Sequence, residues 1–490
     1  MALFFPQSLL TTLLLIKTKF KIIMKLKIFI KRTLAIACCW MAIATSSSIG
    51  ERSVTATSAT LSTKIVAIDS RPKPQPLNGQ NLQKSLDRNN FVDAIRQVEL
   101  GWQFQYEAYY EGKLKSQYFE LPEIQQKLAQ IDKFTKTRSA LLYAVPRPDG
   151  LHLILVSAQG TPVHKIVKDA NSKTLPEAAK NLRIKLVNSQ TTSGEYLPPA
   201  QQLDRWLIQP VTADLKARKI DTILFCLGGG LRGLPLAALH DGQQFLVERY
   251  NLAIIPAFNL LDRRSKTLPG LQVLAMGAAT FTDNPNLPAV PVELATITQS
   301  GSWPGRVLLN EAFTLKQFQQ ARSQAAYGIV HFATHADISA KSVKDSYIQF
   351  WDRRLQLNQV RELGLEKPAV QLLVLSACRT ALGTPNAELG FAGLAVQSGA
   401  KAVLASLWSV DDVGTLVLMS DFYQQLKIAP LKSTALRSTQ IAMLKGDLKL
   451  SNSSIRRTRG SLPSELQSSQ DRDLSHPYYW AAFTTIGNPW

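Results

Sequence analysis

Between Leu86 and Ile131 apolar residues recur at the spacing of one helix face, at Phe91, Ile95, Val98, Trp102 and Phe104 and again at Ile124, Leu128 and Ile131. That pattern predicts two or three helices. After Ser139 the period changes to short apolar runs with β-branched residues: Ala140 to Val145, a turn at Pro146-Arg147-Pro148-Asp149-Gly150, and Leu151 to Val156. Two such runs across a Pro/Gly turn predict a hairpin. Further compact runs follow at Thr222 to Cys226, Leu252 to Ile255, Val273 to Met276, Tyr327 to Ala333, Leu372 to Leu375 and Ala402 to Leu407, with helical patterns between several of them. Continuous apolar strands alternating with helices predict an α/β fold with a mostly parallel sheet covered on both faces.

The polar stretches divide the chain. Residues 45–83 are rich in Ser, Thr, Pro and Lys and are expected to be a flexible linker between a targeting segment, 1–44, and a small helical region, 84–135. The α/β domain is expected over 136–490, interrupted by a mobile loop at 445–475. No internal repeat of about 34 residues is present, which argues against a superhelical repeat array.

Charge changes this picture at one end only. Seven of the basic residues, Lys17, Lys19, Lys21, Lys25, Lys27, Lys31 and Arg32, precede residue 45 with no acid among them, leaving +13 of the formal +20 for the rest. Those remaining cations are dispersed, apart from a run at Arg456 to Arg459, and describe a solvated basic surface rather than a nucleic-acid groove. A basic run, an apolar stretch from Leu34 to Ala44 and the closing Ala42-Ile43-Ala44 have the form of an export signal. Met24 offers an alternative start, a cytoplasmic location is the alternative to export, and neither apolar run reaches the roughly 20 residues that span a bilayer. Membrane attachment is therefore expected only through an uncleaved N-terminal segment. Cys38 and Cys39 fall inside that segment, leaving Cys226 and Cys378, too few for a disulfide framework or a Cys-rich zinc site.

Chemistry is expected where strands end. One run leads into Thr334-His335-Ala336 and another into Ser376-Ala377-Cys378-Arg379-Thr380, so adjacent parallel strands would bring an imidazole and a thiol to one edge. A free thiol with a pKa near 8.5 is only about 3% thiolate at pH 7, and a neighbouring imidazolium raises that fraction.

These residues resemble a family. His331-Phe332-Ala333-Thr334-His335 followed by Leu375-Ser376-Ala377-Cys378-Arg379-Thr380 is similar to caspase-like folds. More closely, the chain resembles the bacterial CHAT family, caspase-like domains associated with tetratricopeptide repeats and related to separase. Further matching pieces are Leu231 to Leu239, Gly390 to Leu394, Gly399 to Val403, Leu407-Trp408-Ser409-Val410-Asp411-Asp412 and His476 to Phe483. The resemblance implies a cysteine endopeptidase with Cys378 as nucleophile, His335 as base, and the backbone N–H groups of Ala336 and Cys378 as oxyanion donors. It also implies a protein or peptide substrate, an activating protein partner, and Asp411 or Asp412 lining a pocket for a basic residue, with no metal or organic cofactor. The family usually places glycine where Ala336 stands, and the associated repeats are replaced here by a short helical segment. The alternative is a catalytically silent CHAT scaffold or protein-binding regulator.

The remaining motifs have plainer readings. Asp411 or Asp412 is equally suited to cap a helix starting near Val413. His331 and His335 are four apart, but a strand does not present that spacing to one metal, so His331 is expected to support the site from the core. Cys226 lacks a histidine motif and reads as core. Gly228, Gly230 and Gly233 satisfy G-x-G-x-x-G, yet Pro235 blocks the helix that a dinucleotide site requires. Tyr478-Tyr479-Trp480 reads as core closure.

Overall fold

A computed structural model describes residues 72–264, 267–298, 303–380 (backbone alone at 377–380), 384–429, 431–450, 466 and 471–490. The expected targeting segment and most of the expected mobile loop lie outside the described residues. No helix among the described residues is long and apolar enough to cross a membrane.

The described residues open with three helices, α1 (Gly79–Asp87), α2 (Phe91–Tyr109) and α3 (Leu121–Thr135). Helix α1 starts inside the stretch expected to be linker, because Asn78 caps it by accepting from Asn81 N–H. Asn90 caps α2, and Glu120 and Glu123 close a capping box on α3.

Strands β1 (Ser139–Arg147) and β2 (Gly150–Ser157) form the expected hairpin, and β3 (Val163–Val167) adds to it. Then come α4 (Thr174–Leu186), α5 (Ser193–Leu207), α6 (Thr212–Ala217), β4 (Thr222–Leu227), α7 (Leu246–Arg249), β5 (Asn251–Ile255) and β6 (Gln272–Gly277). The chain continues through α8 (Val290–Thr298), β7 (Gly305–Leu309), α9 (Leu315–Gln324), β8 (Tyr327–Ile338), β9 (Tyr347–Gln349), β10 (Arg354–Gln356) and β11 (Leu372–Thr380). It closes with α10 (Pro385–Ala392), α11 (Leu394–Ser398), β12 (Ala402–Ser406), α12 (Asp412–Ile428), α13 (Lys432–Leu444), α14 (Pro477–Trp480) and β13 (Phe483–Gly487).

The sheet is mostly parallel, as expected, but it consists of two parallel blocks. Strands β1, β4, β5 and β13 run together, and β12, β11, β8, β6 and β7 run together. The blocks meet head to tail where β12 pairs antiparallel with β13.

Both faces are covered. In β1, Leu141, Tyr143 and Val145 pack with Ile95, Trp102 and Ile124 of the first helices, while the alternate residues Ala140, Leu142 and Ala144 belong to the core containing Leu182 and Leu203 of α4 and α5. In the second block Phe332 of β8 packs against Phe313, Phe318 and Phe350 on one face, and its neighbour His331 meets Tyr423 of α12 on the other. Phe332 is fully buried, so truncation to alanine costs about 3–5 kcal/mol.

Candidate active site

The site is built at the end of β8. The apolar run predicts a strand ending at Ala333, with His335 just beyond it, whereas β8 continues to Ile338. The extension has a partner of its own, because β9 pairs antiparallel with Ala336 and Asp337 once β6 has stopped at Gly277. Thr334 fastens it by donating its hydroxyl to the carbonyl of Gln349, 2.7 Å away.

Strand β11 also runs further than its apolar core, to Thr380. Its register with β8 shifts between Leu375 and Ala377, where β8 holds one extra residue. Beyond that bulge His335 is level with Ala377 and Ala336 is level with Cys378. His335 and Cys378 are thus diagonal neighbours on adjacent parallel strands. Strand β12 lies on the other side of β11 and leads directly into Trp408 to Asp412, so His335, Cys378 and the Asp411–Asp412 pair follow from the ends of three adjacent strands.

His335 is half-buried and firmly oriented. Its Nε2 donates to the carbonyl of Pro285 at 2.7 Å, and its ring meets Phe281 edge-on, with centroids 4.7 Å apart. A carbonyl can only accept, so Nε2 carries the proton and Nδ1 is the basic nitrogen. Both contacts come from the connection between β6 and α8, which the sequence pattern left unassigned. That connection is pinned along its length: Ala279 N–H donates to Asn310 Oδ1 at 2.9 Å, Phe281 N–H to Asn286 Oδ1 at 3.1 Å, and Leu287 N–H to the Ala279 carbonyl at 2.8 Å. Asn310 holds a left-handed φ of 51°, a conformation asparagine tolerates.

His331 is a fully buried core residue of β8, four positions before His335. Its Nδ1 lies 3.1 Å from the Tyr423 hydroxyl, and its Nε2 is 2.9 Å from Glu293 Oε1, off the line of a good hydrogen bond. Burial pushes the Tyr423 hydroxyl well above its ordinary range, which leaves it a neutral donor or acceptor. Neither Glu293 nor Tyr423 carries a recognisable motif, and only the fold brings them beneath β8.

Asp411 and Asp412 have different surroundings. Asp411 caps α12 by accepting from Gly414 N–H at 2.8 Å, and its other oxygen pairs with Arg472. Asp412 is turned toward the histidine-holding connection, where its Oδ2 lies 3.5 Å from Ala289 N. Burial, reinforced by the charges of Glu293 and Asp411, pushes the Asp412 carboxyl up to about 6. Trp408 donates its indole N–H to the Tyr478 carbonyl at 3.0 Å, which ties the Trp-Ser-Val-Asp-Asp segment to the buried Tyr479 and Trp480.

Ala336 is buried and lies between Cys378 and Ile348, so its backbone faces a paired strand on each side. Among the described residues no group of three or more His, Cys, Asp or Glu could hold a metal ion. Cys226 is a buried free cysteine of the first block, its thiol pushed well up by burial and by the nearby Glu99 charge.

The CHAT domain model matches residues 197–488, more than half of the chain. The chain belongs to the CHAT family. No curated protein matches it. Among solved structures, this CHAT chain is similar to separase of Saccharomyces cerevisiae in its complex with securin, with a TM-score of 0.44 and 10% identity over 83% of this chain. It spans only 34% of the separase chain. It is also similar to the complex of the pro- and mature domains of Porphyromonas gingivalis RgpB, with a TM-score of 0.36 and 11% identity over 65% of this chain and 77% of that one. The Arg-specific cysteine proteinase gingipain R (RgpB) is similar over 72% of this chain and 78% of its own, with a TM-score of 0.36 and 10% identity.

Proposed function

We propose that this CHAT protein is a cysteine endopeptidase in which Cys378 and His335 form the catalytic dyad. The observation that carries the reading is the placement of His335: an imidazole held by the Pro285 carbonyl through Nε2, with Nδ1 left basic, on the strand next to the one bearing Cys378.

In the proposed reaction the Cys378 thiol gives its proton to His335 Nδ1, and the thiolate sulfur bonds to the scissile carbonyl carbon. The carbonyl oxygen takes up negative charge, stabilised by the N–H groups of Ala336 and Cys378. As the C–N bond breaks, Nδ1–H protonates the departing amine, leaving a thioester. Water then attacks the thioester, giving a proton back to the imidazole and releasing the acid and the thiol. The Pro285 carbonyl fixes the tautomer of the neutral imidazole and stabilises the imidazolium once it forms. The substrate is a protein or peptide, and a basic side chain before the cut would suit the carboxylate of Asp412, and that of Asp411 only by displacing Arg472 from it.

The register sets a condition on this chemistry. Paired residues of a parallel ladder share a face and successive residues alternate, so a working dyad requires β11 to leave the regular ladder between Ala377 and Cys378. The same departure frees the backbone of Ala336 toward an oxyanion. A protein partner or substrate that draws Cys378 to Thr380 away from β8 would supply it, and this is the role proposed for an activating partner.

The pairing of Ala336 on both sides favours a second reading, a silent scaffold that retains the fold without turnover. A peptide bearing an electrophile that captures thiols separates the two. Covalent labelling at Cys378, lost in Cys378→Ala and weakened in His335→Ala, supports the peptidase. A folded wild-type chain that resists the peptide electrophile, with its substrate side chain varied between basic and neutral, supports the scaffold.

A further inference from the structure

The antiparallel seam between the two blocks has a cleft of its own. Strands β5 and β13 end where β11 and β12 begin, and the segments Leu260–Asp262, Gln371, Lys401 and Gly487 enclose a space of about 610 Å³. The antiparallel pairing sets the end of β13 beside the start of β12, with Gly487 level with Ala402. It lies at the beginning of β11, whereas Cys378 lies near that strand's far end.

The cleft has a charged floor. Lys401 is only 6% exposed, and among the described residues its ammonium has a single side-chain partner, Asp262. An ammonium has three donors, so this one retains capacity for a further acceptor. Asp262 is shared: it also accepts from the backbone and guanidinium of Arg264. Burial alone would raise the Asp262 carboxyl, but Arg264 and Lys401 hold it well below the usual carboxylate range. Around the cleft Lys115, Arg264, Lys367 and Lys401 stand against Asp262 and Glu366, an excess of two positive charges. Lys115 and Glu366 pair with each other at the mouth.

The walls are mixed, with polar Ser116, Gln117, Asn259 and Gln371 beside an aliphatic part. Leu260, Leu261, Ala395, Val396 and Ala400 line the space, and no aromatic side chain is among its described lining residues. A flat ring would find nothing to stack on, whereas a hydrocarbon chain could lie against half-buried Val396 and the edges of the four others, which are almost fully buried.

We infer that this cleft binds a small aliphatic carboxylate, its head on Lys401 beside Arg264 and its chain along Leu260, Ala395 and Val396. The excess of cations supplies attraction for the head, and a carboxylate offers the buried ammonium a further acceptor beside Asp262. The inference stands apart from the proposed peptidase activity, since no residue of the dyad takes part.

The test uses the full chain and calorimetric titration with octanoate, octanol and inorganic phosphate. Saturable octanoate binding is expected, with octanol and phosphate each at least tenfold weaker, because one lacks the charge and the other the chain. Lys401→Met should weaken octanoate about tenfold. Val396→Trp, which fills the cleft from α11 while leaving the Lys401–Asp262 pair in place, should do the same and keeps the test valid if Lys401→Met does not fold. Absence of saturable octanoate binding, octanol or phosphate binding as tight as octanoate, or an unchanged affinity in Val396→Trp would overturn the inference.

Discussion

Cys226 and Cys378 occupy similar places in the two blocks. Each lies at the end of an apolar strand with parallel neighbours on both sides, β1 and β5 around the first and β8 and β12 around the second. Their surroundings diverge in the strand alongside. Level with Cys226, β1 carries Tyr143, whose hydroxyl donates to the buried Glu99, and Ile255 of β5 closes the other flank. Just beyond, the chain folds into the Gly228–Gly233 turn, where a side chain on Gly228 would strike Pro146 at 2.4 Å. Beside Cys378, by contrast, β8 runs past the body of the sheet and carries His335 under a loop that orients it. The two strand-end thiols thus differ in the strand alongside, which carries a packed phenol level with Cys226 but an imidazole one register position away from Cys378.

The strongest way to break this comparison is to remove each sulfur in turn. Cys378→Ala is expected to lower peptide cleavage by at least about a thousandfold, while Cys226→Ala stays near wild type, read in a fluorogenic peptide assay. Equal loss in both variants would end the distinction. His335→Ala should cost on the order of 10²–10⁴ in kcat at neutral pH, and a rate unchanged by it would remove the base from the scheme.

The next effect sharpens the contrast through stability. Cys226→Ser places a hydroxyl where no partner is arranged, and denaturant unfolding should show a loss of about 1–3 kcal/mol. Phe281→Ala frees one side of the imidazole and should lower kcat roughly tenfold with little change in KM, since the ring orients the base without touching the substrate.

The smallest effect concerns Asp412. Its carboxyl is raised in the folded protein from 3.8 to about 6, so the folded state binds the proton more readily than the unfolded one. Stability is then greatest below the unfolded value and declines as pH climbs from about 4 to 6. Asp412→Asn should flatten that decline by roughly 1 kcal/mol or less, given its partial exposure, in melts recorded across that range. A slope retained in the variant would assign the titration to another group.

Much of the scaffold was legible in residue order because its strands are buried on both faces. Thr222 to Cys226 and Leu372 to Leu375 read as strands without help from neighbours, and the Pro146 to Gly150 turn announced the first hairpin. Reversal at β12–β13 was not legible, since an apolar run carries no sign of its direction. The extension of β8 through His335 was missed for a related reason: Thr334 to Asp337 is not an apolar run, and its stability comes from β9, a strand too short to stand out. The histidine and cysteine themselves could be singled out from their motifs, as could the tryptophan segment. Phe281, Pro285, Glu293 and Tyr423 could not, because 50 residues separate Pro285 from the imidazole it holds and nothing local marks the contact.

The position of β13 has a consequence for biogenesis. It is the last described strand to emerge during synthesis, yet it fills the middle of the sheet, between β12 and β5. Until Phe483 to Gly487 leave the ribosome, both of those strands present bare hydrogen-bonding edges, the kind of surface on which nascent chains aggregate. Neither half can complete its pairing early, so the protein remains dependent on a late insertion step and on whatever shields those edges in the interval.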